Sequence, residues 1–370
     1  HLHIVCLDTP WPADYGGAME MFYKIKALHA EGVLLHLHCY EYGRGRPKEL
    51  EAYCTSIHYY PRTDPSGSLL SSLPHIVRSR SSVELLARLR ADDHPVLFEG
   101  LHTTWPLTQG DWTGRKVLIR LHNIEHAYYR DLSRDVRSII RKAWFRVEAI
   151  KLERYERGLL PKFPLATLTA REAVYCREKL GAGQVMELPA FIGWAIPLSQ
   201  EGVGTFCLYH GNLAVPENER MATWLLRNVF RQLELPLVIA GKNPSRRLVR
   251  LAHRWQHTCI VADPSETEMQ DLIRKAQVQV LPARSRTGVK FKLLNGVFCG
   301  RHVVTNAAMV EGTKLESACH QTETATGFRS IIMQLYRKPF TEDETELRSG
   351  LLQHHYENRA HARQLISWLS

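Results

Sequence analysis

Three stretches of the 370-residue sequence concentrate side chains able to do chemistry. The first is Asp8-Thr9-Pro10-Trp11-Pro12-Ala13-Asp14-Tyr15-Gly16-Gly17. Paired glycines opening a helix bare its first N–H groups, a geometry suited to an anion such as a diphosphate. The same residues also suit a tight turn that binds nothing. No GxGxxG follows here and no GxxxxGK[ST] occurs, which excludes a dinucleotide fingerprint and a P-loop. The second stretch is Arg120-Leu121-His122-Asn123-Ile124-Glu125-His126. Its letters spell HxxEH, an inverted zinc-protease motif that needs both histidines on one helix face. His122 directly follows an apolar strand pattern, so it belongs at a strand end, where it would meet a substrate hydroxyl or phosphate or serve as an ordinary loop residue. The third stretch runs from Arg284 to Gly296, with Arg284, Arg286, Lys290 and Lys292 around Gly288 at a helix start. Four cations and a helix N-terminus suit a diphosphate; a solvated basic loop is the alternative. Two further turns, Gly211-Asn212 and Gly241-Lys242-Asn243-Pro244, each follow a strand pattern.

The elements that must position these residues alternate. Strand patterns fall at His3–Leu7, Val33–Cys39, Ser56–Tyr60, Val96–Phe98, Lys116–Leu121 and Leu165–Thr169. Ala18–Ala30 has helical spacing, and so do Leu132, Val136, Ile139, Ala143, Val147 and Ile150, which predict one long helix. Periodicity breaks over Gly193–Gly204 and then resumes with strands at Phe206–Tyr209, Leu237–Ala240, Cys259–Val261, Val278–Leu281 and His302–Thr305. The expected class is α/β, two Rossmann-like domains facing across a cleft: residues 1–192, residues 205–340, and a helical segment 341–370 packing back on the first. Strand carboxyl ends, and with them the ligand crevices, then carry all three stretches.

Composition narrows the class. Hydrophobic residues make up 44% and charged residues 23%, ordinary for a globular protein, and the length suits two domains. No apolar run is long enough to span a bilayer. His1–Pro10 lacks the basic and apolar regions of a secretory leader, so a cytoplasmic protein is expected. Eight scattered cysteines without a CxxC pair read as reduced thiols, not a zinc ribbon or disulfide scaffold. The net charge is +10, and residues 130–162 hold ten Lys/Arg against five Asp/Glu. That points to a phosphate-rich partner, which charge alone does not choose.

The chain resembles the retaining glycosyltransferases of the GT-B fold, in particular glycosyltransferase family 4 and its bacterial cell-surface members. The resemblance spans nearly the whole chain. It rests on Asp8-Thr9-Pro10 with Gly16-Gly17, His122, His210-Gly211-Asn212-Leu213, Ile239 to Pro244, and Gly288 to Asn295 leading to Cys299-Gly300-Arg301-His302. It implies that the second domain holds a nucleotide-sugar donor, such as a UDP- or GDP-sugar, and the first an acceptor. Gly16, Gly17, Gly211, Asn212, Lys242, Thr287, Gly288, Lys290, Lys292 and Asn295 would bind the donor, and His122 would lie near the transferring sugar as the catalytic residue. The family usually carries two glutamates eight positions apart; here those positions are Thr287 and Asn295.

The expected function is therefore transfer of a sugar to a glycan or lipid-linked acceptor in cell-surface polysaccharide biosynthesis. No cofactor or metal is expected, because lysines and helix N-termini can neutralise the diphosphate. Residues 130–162 could rest on an anionic membrane, making the protein peripheral at its cytoplasmic face. No nucleic-acid partner is expected, since the aromatics of that segment do not form a stacking platform. The alternative is a non-catalytic nucleotide- or polyanion-binding protein on a degenerate GT-B scaffold.

Overall fold

Short Val/Ile/Leu runs bounded by turns are the signature of parallel strands buried on both faces, and the computed structural model builds two such sheets. It describes residues 1–63, 71–136 and 138–370. The chain divides into two compact units: residues 1–193 with 287–289 and 356–370, and residues 194–286 with 290–355.

The first unit is built on seven strands: β1 (Leu2–Cys6), β2 (Leu35–Glu41), β3 (Ser56–Pro61), β4 (Val96–Glu99), β5 (Val117–Arg120), β6 (Leu165–Thr167) and β7 (Val185–Glu187). They lie in the order β3-β2-β1-β4-β5-β6-β7. Every pairing is parallel, with His3 beside His36 and Phe98 beside Ile119 in register. Alternation sends Val5, Tyr40, Tyr60, Phe98 and Ile119 to one apolar face, and Ile4, Cys6, Leu37, Leu97 and Leu118 to the other. The helices Gly16–Ala30 and Asn358–Leu369 cover the second face.

The second unit holds β8 (Cys207–His210), β9 (Leu237–Gly241), β10 (Thr258–Ala262), β11 (Val278–Leu281), β12 (His302–Thr305) and β13 (His320–Gln321), in the order β10-β9-β8-β11-β12-β13. These pairings are parallel as well. The α/β class expected from the strand patterns is the class observed. β7 and β13 are additional edge strands of three and two residues, too short to leave a periodic signal.

Two expectations need correction. The segment 341–370 does not act as one piece. Helix Glu342–His355 belongs to the second unit, because the buried guanidinium of Arg348 donates to Gly300 O at 2.5 Å, to Ser199 Oγ at 2.9 Å and to Arg301 O. Helix Asn358–Leu369 belongs to the first, burying Ala362, Leu365 and Leu369. The Asn358 side chain there accepts from Ile192 N at 3.0 Å and donates to Ile192 O at 2.7 Å.

The long helix is likewise two, Glu125–Asp135 and Ile139–Leu159, with Val136 extended at the break. Its expected apolar stripe is turned outward: Ile139, Ala143, Val147 and Ile150 are exposed, as is Ile140 beside them. Glu148, Ala149, Leu152, Glu156 and Leu159 face inward instead. The two carboxylates explain the rotation, since each caps a helix start that would otherwise be orphaned. Glu148 Oε2 accepts from His75 N at 2.7 Å, and Glu156 Oε1 from Glu125 N at 2.8 Å.

Candidate functional site

In the first unit the carboxyl ends of β4 and β5 meet the first turns of helix Gly16–Ala30. That helix carries Glu20 and Lys24 one turn apart on its core-facing side, both fully buried. Buried charges require partners, and the strand ends supply them. Lys24 Nζ lies 2.7 Å from Glu20 Oε2 and 2.6 Å from Glu99 Oε1. Arg120 donates to Glu20 Oε1 through Nε at 3.1 Å and Nη2 at 2.8 Å, and to Thr167 O at 3.1 Å. His122 Nε2 sits 2.9 Å from Glu99 Oε2 and 3.8 Å from Glu20 Oε2, with 11% of its side chain exposed. Burial alone would raise the Glu20 carboxyl; Lys24, Arg120 and His122 outweigh it and hold it well below the usual carboxylate range. The result is a rigid ionic platform that fixes one imidazole edge and leaves the ring near the surface.

Glu20, Glu99 and His122 are close enough to share a metal ion, but Lys24 Nζ already bridges the two carboxylates. The HxxEH letters do not converge: His126 turns to Glu156 through Nδ1 and to the Tyr175 hydroxyl through Nε2 at 3.1 Å. Glu125 is buried, and that burial, with Glu156 nearby, pushes its carboxyl up to about 8.

The Asp8–Gly17 loop is braced from within its own unit. Arg44 donates to Thr9 O at 2.9 Å and pairs with Asp14 at 2.7 Å, while Tyr15 donates to Asp8 Oδ2 at 3.3 Å. Gly16 opens the helix, and a Cβ on Gly17 would stand 2.9 Å from the Tyr15 ring. A larger residue at 17 would therefore have to displace the Tyr15 ring. Thr287 and Gly288 group with this same unit, and Gly288 N donates to Glu172 Oε1 at 2.9 Å.

In the second unit the turns after β8 and β9 touch. Gly211 has φ 148°, and a Cβ on Gly241 would fall 1.8 Å from Gly211 O, so only glycine fits. Lys242 O accepts from Leu213 N at 2.9 Å, and the Lys242 side chain is exposed. Lys292, in the first turn of helix Phe291–Cys299, runs past Gly211. Its Nζ donates to Asn218 Oδ1 at 2.8 Å and the Tyr209 hydroxyl at 3.3 Å, both neutral. Asn218 in turn donates to Asn212 O at 2.9 Å. Burial pushes the Lys292 ammonium down to about 8 against the pull of Glu217. The imidazole of His210 next to it is held neutral, chiefly by burial and then by Lys292; its Nε2 has no hydrogen-bond partner among the described residues.

The structure thus brings Gly211, Asn212 and Lys292 together around Asn218, with Gly241 closing the floor. Lys290 is the N-cap of the Phe291–Cys299 helix, and Asn295 lies one turn further on, its Oδ1 3.5 Å from Gln270 Nε2. The four cations of the third stretch do not all converge: Arg286 pairs with Glu311 at 2.5 Å. The backbone N–H groups of Arg284 and Ser285 both donate to Glu217 Oε1, at 2.8 Å each.

Residues 204–336 match the family described as "Glycosyl transferases group 1". A Klebsiella pneumoniae relative, described as an uncharacterized 44.6 kDa protein in cps region, is 25% identical over 330 residues, 84% of each chain. Among solved structures, an α,α-trehalose-phosphate synthase (UDP-forming) from Burkholderia xenovorans superposes with a TM-score of 0.64 at 11% identity, covering 100% of this chain and 99% of that one. TarM of S. aureus, solved with UDP, gives 0.60 at 10% identity over 77% of this chain. The fold is that of the GT-B glycosyltransferases. This chain spans 58% of TarM's length.

Within the GT-B fold, several residues of the two clusters left no mark in the sequence patterns. Glu20, Lys24 and Glu99 around His122, and Tyr209, Glu217 and Asn218 around Lys292, carry no motif. One signal was available: Glu20 and Lys24 stand on the helix face that also carries Met21, Ile25 and Leu28. Charges on a core-facing stripe announce a buried network.

Proposed function

We propose that the protein is a glycosyltransferase that moves a sugar from a nucleotide-sugar donor, such as a UDP- or GDP-sugar, to a glycan or lipid-linked acceptor. One observation carries the reading: the Lys292 ammonium sits beside the glycine-walled turns Gly211 and Gly241 with only neutral partners. A half-buried cation whose hydrogen-bond partners are neutral, with Glu217 acting on it only through space, is matched to an incoming diphosphate. The group 1 match over residues 204–336 covers this cluster, and the neighbours that hold UDP or are UDP-forming support the donor class. The cps-region relative supports a cell-surface glycan as the acceptor.

In this reading Lys292, helped by Lys290, neutralises the diphosphate as the sugar–phosphate bond breaks. Gly211, Asn212, Lys242 and Asn295, all of the second unit, shape the donor site. His122, fixed by Glu99, contacts the sugar. The acceptor oxygen bonds to the anomeric carbon and passes its proton to the departing diphosphate, a same-face course that retains configuration and needs no protein nucleophile. Lysine and helix N-termini supply the positive charge, so the reaction proceeds without a metal. The exposed Ile139, Ile140, Val147 and Ile150 between cations would rest the first unit on an anionic membrane. No helix among the described residues is long and apolar enough to cross one.

Calorimetric titration with UDP and GDP, and donor hydrolysis by the purified protein, test the reading. Lys292→Ala should weaken nucleotide binding about ten- to a hundred-fold, as expected for a charge-assisted contact. Undiminished affinity places the diphosphate elsewhere. Binding without any turnover of UDP- or GDP-sugars supports the non-catalytic alternative.

A further inference from the structure

At the amino ends of β2, β1 and β4 lies a second cluster, away from the strand carboxyl ends that carry Glu99, Arg120 and His122. His1 precedes β1, His36 is the second residue of β2, and His94 comes two residues before β4. These strands are neighbours, and period-2 alternation puts His1, His3, His36, His38 and His58 on one face. The described residues thus gather six imidazoles at one sheet edge.

We propose that His1, His36 and His94 bind a divalent transition-metal ion such as Zn²⁺. One ring nitrogen from each lies within 4.8 Å of the others. His1 Nδ1 and His36 Nε2 are already 2.9 Å apart, at hydrogen-bond distance. The His1 and His94 rings stack at 4.5 Å with planes 8° apart. A tetrahedral Zn²⁺ with bonds of about 2.0–2.1 Å holds its ligand nitrogens roughly 3.3 Å apart. The three rings are stacked nearly parallel, so the ion would turn them out of the stack about their side-chain torsions to bring one nitrogen of each to it. Three imidazoles with no carboxylate among them suit Zn²⁺, Ni²⁺ or Cu²⁺ over Mg²⁺ or Ca²⁺.

The surroundings are those of a built ligand set. Ser56 Oγ meets His36 Nδ1 at 2.9 Å, which orients Nε2 toward His1, the role an outer hydrogen bond plays for a metal-bound imidazole. Asp92 accepts from His94 N at 3.0 Å and also holds Arg115 at 3.2 Å and His3 Nε2 at 3.1 Å, pinning the turn that carries His94. Beneath, His3 Nδ1 contacts His38 Nε2 at 2.9 Å and His38 Nδ1 contacts the Tyr60 hydroxyl at 2.9 Å, a buried row that stiffens the edge.

Tag-free protein, stripped with EDTA and desalted, is titrated with ZnCl₂ in a calorimeter and with CoCl₂ while visible absorption is followed. One equivalent should bind with low-micromolar affinity, and Co²⁺ should show the d–d bands of a four-coordinate site. His1→Ala, at an exposed position before β1, should weaken binding at least about tenfold, as should His94→Ala. Ser56→Ala should weaken it about tenfold through the outer shell. No saturable binding in the wild type overturns the proposal. Affinity unchanged in His1→Ala and His94→Ala overturns it equally, because the ion then sits elsewhere.

Discussion

Replacing Lys292 by Met separates a ligand-binding lysine from a structural one. Transfer of its ammonium into the pocket lowers the pKa from 10.5 to about 8. If the unfolded chain keeps the ordinary value, the charged form is disfavoured by roughly 3 kcal/mol at neutral pH. The side chain is only half-buried, so solvent screening reduces this to roughly 1–2 kcal/mol. The sign follows from proton counts. Below the folded pKa both states are protonated and the cost is constant. Between about pH 8 and 10.5 the folded state binds fewer protons than the unfolded one, so stability rises with pH. Lys292→Met should make the free protein more stable by about 1 kcal/mol at neutral pH, remove that rise, and weaken UDP or GDP binding. Chemical denaturation of both proteins at neutral and at alkaline pH, with calorimetry on the same samples, provides the measurement. A less stable variant that keeps full nucleotide affinity would show that Lys292 is a strut for Asn218 and Tyr209, and would refute the reasoning.

Further outcomes are expected. Glu125, raised to about 8 by burial and Glu156, keeps its proton in the folded state, so its contribution to stability should decline from about pH 4.5 to 8. Glu125→Gln should flatten that slope in denaturation curves; an unchanged slope would mean the carboxyl is ionised at neutral pH. Leu365→Ala, at a fully buried position of the Asn358–Leu369 helix, should cost roughly 2–5 kcal/mol in the same experiment. Donor hydrolysis should survive EDTA, and a loss restored by Mn²⁺ would contradict the metal-free mechanism. Co-sedimentation with anionic vesicles should fall with salt and with an Ile139→Ser/Ile140→Ser double variant; no binding at low salt would remove the membrane reading.

Most strand positions were legible because parallel strands buried on both faces are continuous apolar runs, as at Val117–Arg120 and Val278–Leu281. The strand-end position of His122 followed from the same pattern. What surrounds it did not, because Glu20, Glu99 and Arg120 come from three elements and meet only once the sheet is formed. The orientation of helix Ile139–Leu159 was misleading for a related reason. Its hydrophobic stripe was plain, but the partners of Glu148 and Glu156 are N–H groups of distant helices that no local pattern reveals. Lys292 was readable as a cation at a helix start, whereas its neighbours Asn218 and Tyr209 were ordinary residues in sequence.

The helix Asn358–Leu369 carries a consequence for how the chain is made. It covers the sheet face formed by β1, β2, β4 and β5, so these early strands wait for residues 358–369 before that face is covered. While the ribosome works through the second unit, Leu37, Leu97 and Leu118 lack part of their final cover. Contacts of such long sequence separation form slowly, and the uncovered face is a natural client for chaperones in the interval. A ribosome stalled shortly before residue 358 should therefore display a nascent first unit far more sensitive to protease than the released protein.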